Sequence, residues 1–233
     1  MEHPGATWHD SFVVEHVAET GSTNADLLAR AEAGAPHWTV RYADHQTAGR
    51  GRLGRVWEAP PGANLLVSIL WRRDLHPLHA LTQRVSLAAV HAAERVARVR
   101  PVIKWPNDLL LDGRKLAGIL AQAGGRGAID YVVVGLGLNV GWAPAGAARL
   151  PAGTRDEVLA AVLEHLAACP ADVSAAYRER LATLGSSVRV DTPSGAIVGH
   201  AVDLDQDGSL VVELADGSRR AIGVGDVTHL RPV

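Results

Sequence analysis

The chain is poor in several residues, and each shortage excludes something. Cys169 is the one cysteine among 233 residues, so neither an intrachain disulfide nor a multi-cysteine metal site is available. Phe12 is the one phenylalanine, and aromatics total 4%. No aromatic cluster therefore interleaves with basic residues as a single-strand nucleic-acid platform would require. The longest apolar run, around Tyr131–Val140, is too short to span a bilayer and contains Asn139. The stretch Met1–Asp10 is polar, with no signal-peptide hydrophobic region. Net charge is −2, so nothing global attracts nucleic acid. With 47% hydrophobic and 21% charged residues, the expectation is a soluble, cytoplasmic globular protein with a real core.

Lysine is the sharpest shortage. There are 21 arginines and only two lysines, Lys104 and Lys115. Where any fixed cation serves, this chain uses arginine. A retained lysine is suspected of supplying a compact ammonium that a planar guanidinium cannot replace. Asparagine is also sparse, and three of the four (Asn24, Asn107, Asn139; the fourth is Asn64) fall in the motifs below.

Against this background stands Gln46-Thr47-Ala48-Gly49-Arg50-Gly51-Arg52-Leu53-Gly54-Arg55-Val56-Trp57. Three glycines alternate with three arginines, and no acidic residue lies between Asp44 and Glu58. Glycines this dense disfavour helix or strand but let backbone N–H groups turn toward a ligand. The guanidinium forks match phosphate or carboxylate oxygens. The stretch reads as an anion-holding loop; a flexible basic surface turn is the plain alternative.

Several segments frame the loop. Phe12–His16 reads as a strand. Thr23 and Asp26 have capping-box spacing, which predicts a helix from there to Gly34. Ser22, Thr23 and Asn24 are then helix caps, or else polar groups set at a helix start where a ligand docks. Trp38–Asp44 and Ala63–Trp71 read as strands, and Leu78–Val99 as a long helix. Val102–Trp105 is a strand broken by Pro106-Asn107-Asp108, and Asp112-Gly113 signals a hairpin whose return strand carries Lys115 and Gly118. Asp108 and Lys115 should therefore face each other on neighbouring strands. Tyr131–Val134 runs into Gly135-Leu136-Gly137-Leu138-Asn139, glycines in a strand marking close approach by a backbone or ligand. Two helices are expected at Arg155–Ala168 and Ala171–Leu184. After Gly185 come five short strands with Ser-Gly, Asp-Gly and Gly-Asp turns, a small all-β unit of about 48 residues that is too small to stand alone.

Taken in order, the glycine-arginine stretch with Trp57, Lys104-Trp105-Pro106-Asn107-Asp108, Arg114-Lys115-Leu116-Ala117-Gly118-Ile119-Leu120, and the weaker Ser22-Thr23-Asn24 and Gly135–Asn139 signatures resemble the biotin–protein ligases. The resemblance covers nearly the whole chain from Phe12. It implies an α+β fold in which helices flank a mixed β-sheet, the class II aminoacyl-tRNA synthetase-like or biotin–lipoate ligase fold. A small C-terminal SH3-like β-barrel would follow. Residues 1–185 would form the catalytic domain and 186–233 the barrel. Too few residues precede the first strand for a helix-turn-helix, so DNA binding of that kind is not expected.

The implied reaction joins biotin to ATP as biotinyl-5′-adenylate with loss of pyrophosphate, then passes biotin to a lysine of a biotin carboxyl carrier protein. By resemblance, Lys115 and Arg52 are catalytic. Ser22, Thr23, Asn24, Gln46, Arg50, Gly51 and Gly118 join them around biotin and its adenylate, while Arg55, Trp57, Asn107 and Asn139 serve the nucleotide. Asp108 would hold Mg²⁺. The loop is expected to be mobile until it orders over the adenylate. The nearest alternative is a lipoate–protein ligase; the alternative of another class is a non-enzymatic module gripping nucleic acid through the loop.

Overall fold

Alternating and near-continuous apolar runs become strands, and the strands sort into two sheets. The computed structural model describes residues 9–75, 77–223 and 225–230. Most of the polar amino-terminal stretch, residues 1–8, lies outside the described residues. The first sheet has seven strands in the order β1-β2-β3-β7-β6-β5-β4. These are β1 (Val13–Thr20), β2 (Thr39–Gln46), β3 (Leu65–Trp71), β4 (Val102–Lys104), β5 (Asp108–Leu111), β6 (Arg114–Gly124) and β7 (Tyr131–Leu138). β1 and β2 pair in parallel through the crossover helix α1 (Thr23–Glu32); the other pairs are antiparallel. The mixed sheet is the one expected. β6 and β7 run longer than the residue pattern suggested, because their mutual ladder from Ala117↔Leu138 to Gly124↔Tyr131 carries Gly135 and Gly137 inside the strand.

The central strand β3 is buried at every position, because helices cover both faces. Leu70 packs with Leu27 and Ala31 of α1 on one face. Val67, Ile69 and Trp71 pack on the other under α2 (Leu78–Ala97) and α3 (Arg155–Ala168). The helix expected over 171–184 is reduced to α4 (Ser174–Arg180), since Leu181 leaves helical geometry and pairs with Ile103 of β4. No helix among the described residues is long and apolar enough to cross a membrane.

The second sheet is antiparallel, in the order β11-β10-β9-β8-β12. Its strands are β8 (Ser187–Thr192), β9 (Gly195–Leu204), β10 (Leu210–Glu213), β11 (Arg219–Ile222) and β12 (Asp226–His229). It is the small SH3-like unit of the sequence analysis. Its inward residues Val188, Val190, Leu210 and Val212 belong to the same buried cluster as α2 and α3, so its core is shared rather than separate. Trp105 fastens the joint: its backbone N–H donates to Thr183 Oγ1 at 3.0 Å and its indole N–H to the Gly208 carbonyl at 3.1 Å.

The capping box expected at Thr23–Asp26 does not form. Ser22 is the N-cap by position but makes no side-chain cap bond. Asp26 instead accepts from Thr20 Oγ1 at 2.9 Å and Arg41 Nε at 3.1 Å. A true box forms at the start of α3, between Thr154 and Glu157.

Four histidines within this frame are held below their ordinary pKa, chiefly by burial. Arg73 adds to the effect at His37, the stacked His91 ring at 4.2 Å adds to it at His165, and Lys104 adds to it at His229. At His79, Asp207 and Asp205 oppose it. The folded state therefore prefers the neutral rings. Their contribution is fully present above the unfolded value of about 6.5 and is lost as pH falls from there into the depressed folded range. The melting temperature should accordingly drop between about pH 7 and pH 5.5, above the range where carboxylates titrate. His165→Gln should flatten the slope. A melting temperature constant across that interval would contradict the assignment.

Candidate active site

The three motif strands and the glycine-arginine loop converge on one cleft. Ser22, Thr23 and Asn24 enter from the start of α1, Gln46 from the end of β2, and Arg50, Gly51, Arg52, Arg55 and Trp57 from the loop. Asn107 and Asp108 come from the start of β5, and Lys115 and Gly118 from β6. The cleft has an internal volume of about 110 Å³ and opens to solvent at its mouth. Thirteen of the fourteen residues singled out from the sequence line it; Asn139 does not.

The loop is a tight turn. Arg50 and Val56 pair as an isolated bridge, and Gly51 N–H donates to the Arg55 carbonyl at 2.7 Å. Its tip residue Leu53 is left-handed (φ 56), a conformation a branched residue adopts only when its surroundings impose it. Trp57 leaves the turn and lies over a glycine floor. A Cβ on Gly137 would come 2.5 Å from the indole, and one on Gly118 3.2 Å. The strand glycines are there because the indole needs their missing side chains.

The charges are arranged unequally. Lys115 Nζ lies 2.7 Å from Asp108 Oδ1 and 5.7 Å from the centre of the Trp57 ring. Arg55 pairs with Asp226 at the start of β12. Arg52 donates to Asn107 Oδ1 at 3.1 Å and toward the Gly225 carbonyl at 3.5 Å, both neutral, so its charge stays unpaired. Burial pushes the Arg52 pKa down, against the pull of Asp108, without discharging it. Arg50 is exposed at the rim with no ion-pair partner among the described residues. Four cations thus face two carboxylates, Asp108 and Asp226. The other lysine, Lys104, sits opposite Asp108 in the β4–β5 register, its pKa lowered chiefly by burial.

The polar wall is a hydrogen-bond chain. Gln46 Oε1 accepts from Thr23 N–H at 2.8 Å and Thr23 Oγ1 at 3.0 Å. Ser68 Oγ lies 2.7 Å from Thr23 Oγ1 and donates to Asn24 Oδ1 at 2.6 Å. Asn24 Nδ2 donates to Gln122 Oε1 at 2.8 Å. Gln46 Nε2 and the Ser22 hydroxyl are left without a bonding partner among the described residues. Thr23 and Asn24 line the cleft, and their hydrogen bonds also orient Gln46 and the wall. Ser68 was missed in the sequence because a lone serine in an apolar strand carries no signal.

Asn139 borders a neighbouring hollow rather than this cleft. It is 2% exposed, accepts from Asn64 Nδ2 at 3.1 Å and donates to the Ala148 carbonyl at 2.8 Å. Asn64 Oδ1 in turn accepts the backbone N–H groups of Val140 and Trp142. The pair pins the 139–150 segment and sets Asn139 in the wall of that hollow. This second hollow is bordered by Asn139, Trp142, Pro144 and Ala147, and it shares Trp57 and Lys115 with the first. Trp142 was not singled out from the sequence; its neighbours Pro144 and Ala147 read only as loop.

Asp108, the expected Mg²⁺ ligand, lines the cleft, and such an ion is held by one or two carboxylates together with substrate phosphates. Among the described residues no group of three or more His, Cys, Asp or Glu side chains is placed to hold a metal. The Asp108 carboxylate is already paired with Lys115.

Comparison with known proteins agrees with this geometry. Residues 18–139 match the biotin/lipoate A/B protein ligase family, and residues 183–230 match the biotin protein ligase C-terminal domain. The chain is 40% identical to the biotin–[acetyl-CoA-carboxylase] ligase of Mycobacterium tuberculosis, over 97% of this chain and 91% of that protein. It is 31% identical to the bifunctional ligase/repressor BirA of Bacillus subtilis, over 85% of this chain and 69% of that one. Among solved structures, the biotin protein ligase of Aquifex aeolicus in complex with biotin and ATP superposes with a TM-score of 0.79 at 26% identity, covering 94% of this chain and 99% of that one. On motifs, fold and relatives together, the chain belongs to the biotin/lipoate A/B protein ligase family, among its biotin–protein ligases.

Proposed function

We propose that the cleft activates biotin with ATP as biotinyl-5′-adenylate and then transfers biotin to a lysine of a carrier protein, such as the carrier part of an acetyl-CoA carboxylase. The observation that carries this reading is the position of Lys115, where the two hollows meet. Biotin fits the first hollow, with Gln46 Nε2 and the Ser22 hydroxyl free to meet its ureido group. The nucleotide fits the second, with its base against Trp142 and its phosphates toward Lys115.

The chemical difficulty is charge. A carboxylate must approach a polyanion, and each like-charge pair at about 4 Å costs on the order of 4 kcal/mol at an effective dielectric near 20. That is roughly three decades of rate if uncompensated. Lys115 lies between the two hollows, Arg52 holds an unpaired charge beside it, and Arg50 waits at the rim. Lys115 and Arg52 are held in place by Asp108 and Asn107, so stabilising the developing charge needs little reorganisation of these two. Mg²⁺ enters in this reading with ATP, as its phosphate counter-ion, rather than through a site built by the protein. The units 1–185 and 186–233 act together, because Arg55 and Arg52 reach Asp226 and Gly225 across the boundary. That grip also disfavours the nucleic-acid reading of the loop, since Arg55 is paired with Asp226 and Arg52 is half-buried.

Biotin-dependent ATP–pyrophosphate exchange tests the assignment. Exchange supported by lipoate and not by biotin would place the substrate elsewhere in the family. The loop has its own test. Asp226→Asn frees Arg55, and Arg52→Ala removes the inner anchor. Both should hasten escape of the adenylate into solution and speed protease cleavage within residues 50–55, by roughly tenfold for the loss of one charge-assisted bond. Unchanged retention of the intermediate in both variants would dissociate the loop from that role.

A further inference from the structure

A third hollow opens beyond the end of β3. It lies between the α1–β2 turn (Pro36, His37, Trp38), the β3–α2 turn (Arg73, Asp74), Arg84 of α2 and Cys169 at the end of α3. None of these residues borders the two hollows of the ligase site. β3 passes the ligase cleft at Val67 and reaches this end at Trp71.

The walls hold a surplus of hydrogen-bond donors. Arg84 is only 6% exposed, and its guanidinium lies over the Trp71 ring, 4.8 Å from the centroid. It has no ion-pair partner among the described residues, and its Nε has no acceptor. Trp38 Nε1 is buried and likewise without an acceptor. His37 Nδ1 accepts from the Arg72 backbone N–H at 3.1 Å, so the neutral ring carries its hydrogen on Nε2, a third donor. Arg73 adds an exposed cation.

Acceptors are few. Asp74 is an exposed carboxylate on the rim. Cys169 Sγ accepts a hydrogen bond from Arg84, but burial pushes the thiol up against that pull, so it gives Arg84 no counter-charge near pH 7. Water satisfies an N–H group but does not neutralise a buried guanidinium, whose unpaired charge is costly. Buried donors without acceptors are rare enough in folded proteins to need a reason. The backbone adds a second sign: Trp38 (φ 62) and Asp74 (φ 53), on facing turns, are both held in the left-handed region without being glycine.

We propose that this hollow binds a small oxyanion, a phosphate or carboxylate group seated against Arg84 and Trp38, with His37 and Arg73 at its edge. The site is separate from the ligase chemistry and does not depend on how that chemistry is assigned.

The test is a titration of the full chain with inorganic phosphate at constant ionic strength, followed by the indole N–H resonances. Trp38 should shift saturably, while changes at Trp57 or Trp142 report the ligase hollows separately. Arg84→Met and the exposed Arg73→Ala should each weaken the Trp38 response by roughly tenfold, the scale of one charge-assisted contact. Phosphate should also raise the melting temperature of the parent chain more than that of Arg73→Ala. Should Arg84→Met fail to fold, Arg73→Ala decides. A parallel titration with acetate separates the two sources: response to phosphate alone marks a phosphate group, and an equal response to acetate marks a carboxylate. No saturable Trp38 shift with either anion, or a shift of undiminished affinity in the variants, overturns the proposal.

Discussion

Lys115→Ala should lower adenylate formation by roughly 10²–10³-fold, the scale for removing one preorganised charge-stabilising group. The effect is expected to be this large because no other ammonium takes its place. Lys104 is the only other lysine, and burial lowers its pKa while Asp108 stands opposite it. Removal also leaves the half-buried Asp108 carboxylate without its 2.7 Å partner, turning a neutral pair into a lone anion facing two anionic reactants. Biotin-dependent ATP–pyrophosphate exchange measures the loss, and near-normal exchange would take Lys115 out of the chemistry. Lys115→Arg separates charge from shape. A guanidinium restores the charge but spreads it over a planar fork between Trp57 and Asp108, so activity should recover only in part. Full recovery would mean that the compact ammonium was never needed.

The second large effect concerns the floor of the cleft. Gly137 lies in the middle of β7, paired with Leu66 and Gly118, so valine suits the strand and should leave the fold intact. Its side chain, however, would begin 2.5 Å from the Trp57 indole. The indole must lift into the space the ligand needs. Overpacking of this kind costs about 1–3 kcal/mol, so biotin should bind roughly 10- to 100-fold more weakly while the melting temperature changes little. Calorimetric titration with biotin gives the answer, and parental affinity in a folded Gly137→Val protein would show that biotin does not lie on this floor.

Much of the site was legible because its chemistry demands unusual residues. Glycines alternating with arginines, a lysine in an arginine-rich chain and glycines inside a strand all depart from what a core or a surface alone would select. The strand-to-hairpin path from Asp108 to Lys115 follows from Asp112-Gly113 and the two-residue period, and the pair indeed meets at 2.7 Å. Polar residues of ordinary kind were less readable. Thr23 with Asp26 has the spacing of a helix cap, yet both side chains are drawn away by Gln46, Ser68 and Arg41, contacts 15 to 45 positions distant. Asn139 sits in a ligand-like motif but turns inward to Asn64.

By itself the sequence determined the order of the elements, the place of the glycine-arginine loop and the rarity of the two lysines, because turn chemistry, hydrophobic period and composition are local properties. Tertiary structure alone decided which polar atoms remain free for a ligand. Ser22 and Gln46 keep polar atoms free in the cleft while Asn24 is bonded within its wall, because a side chain's hydrogen bonds go to whichever partners folding brings within reach. The same holds for the grip of Asp226 on Arg55, 171 residues apart in the chain, which exists only because the small sheet packs its core against α2 and α3.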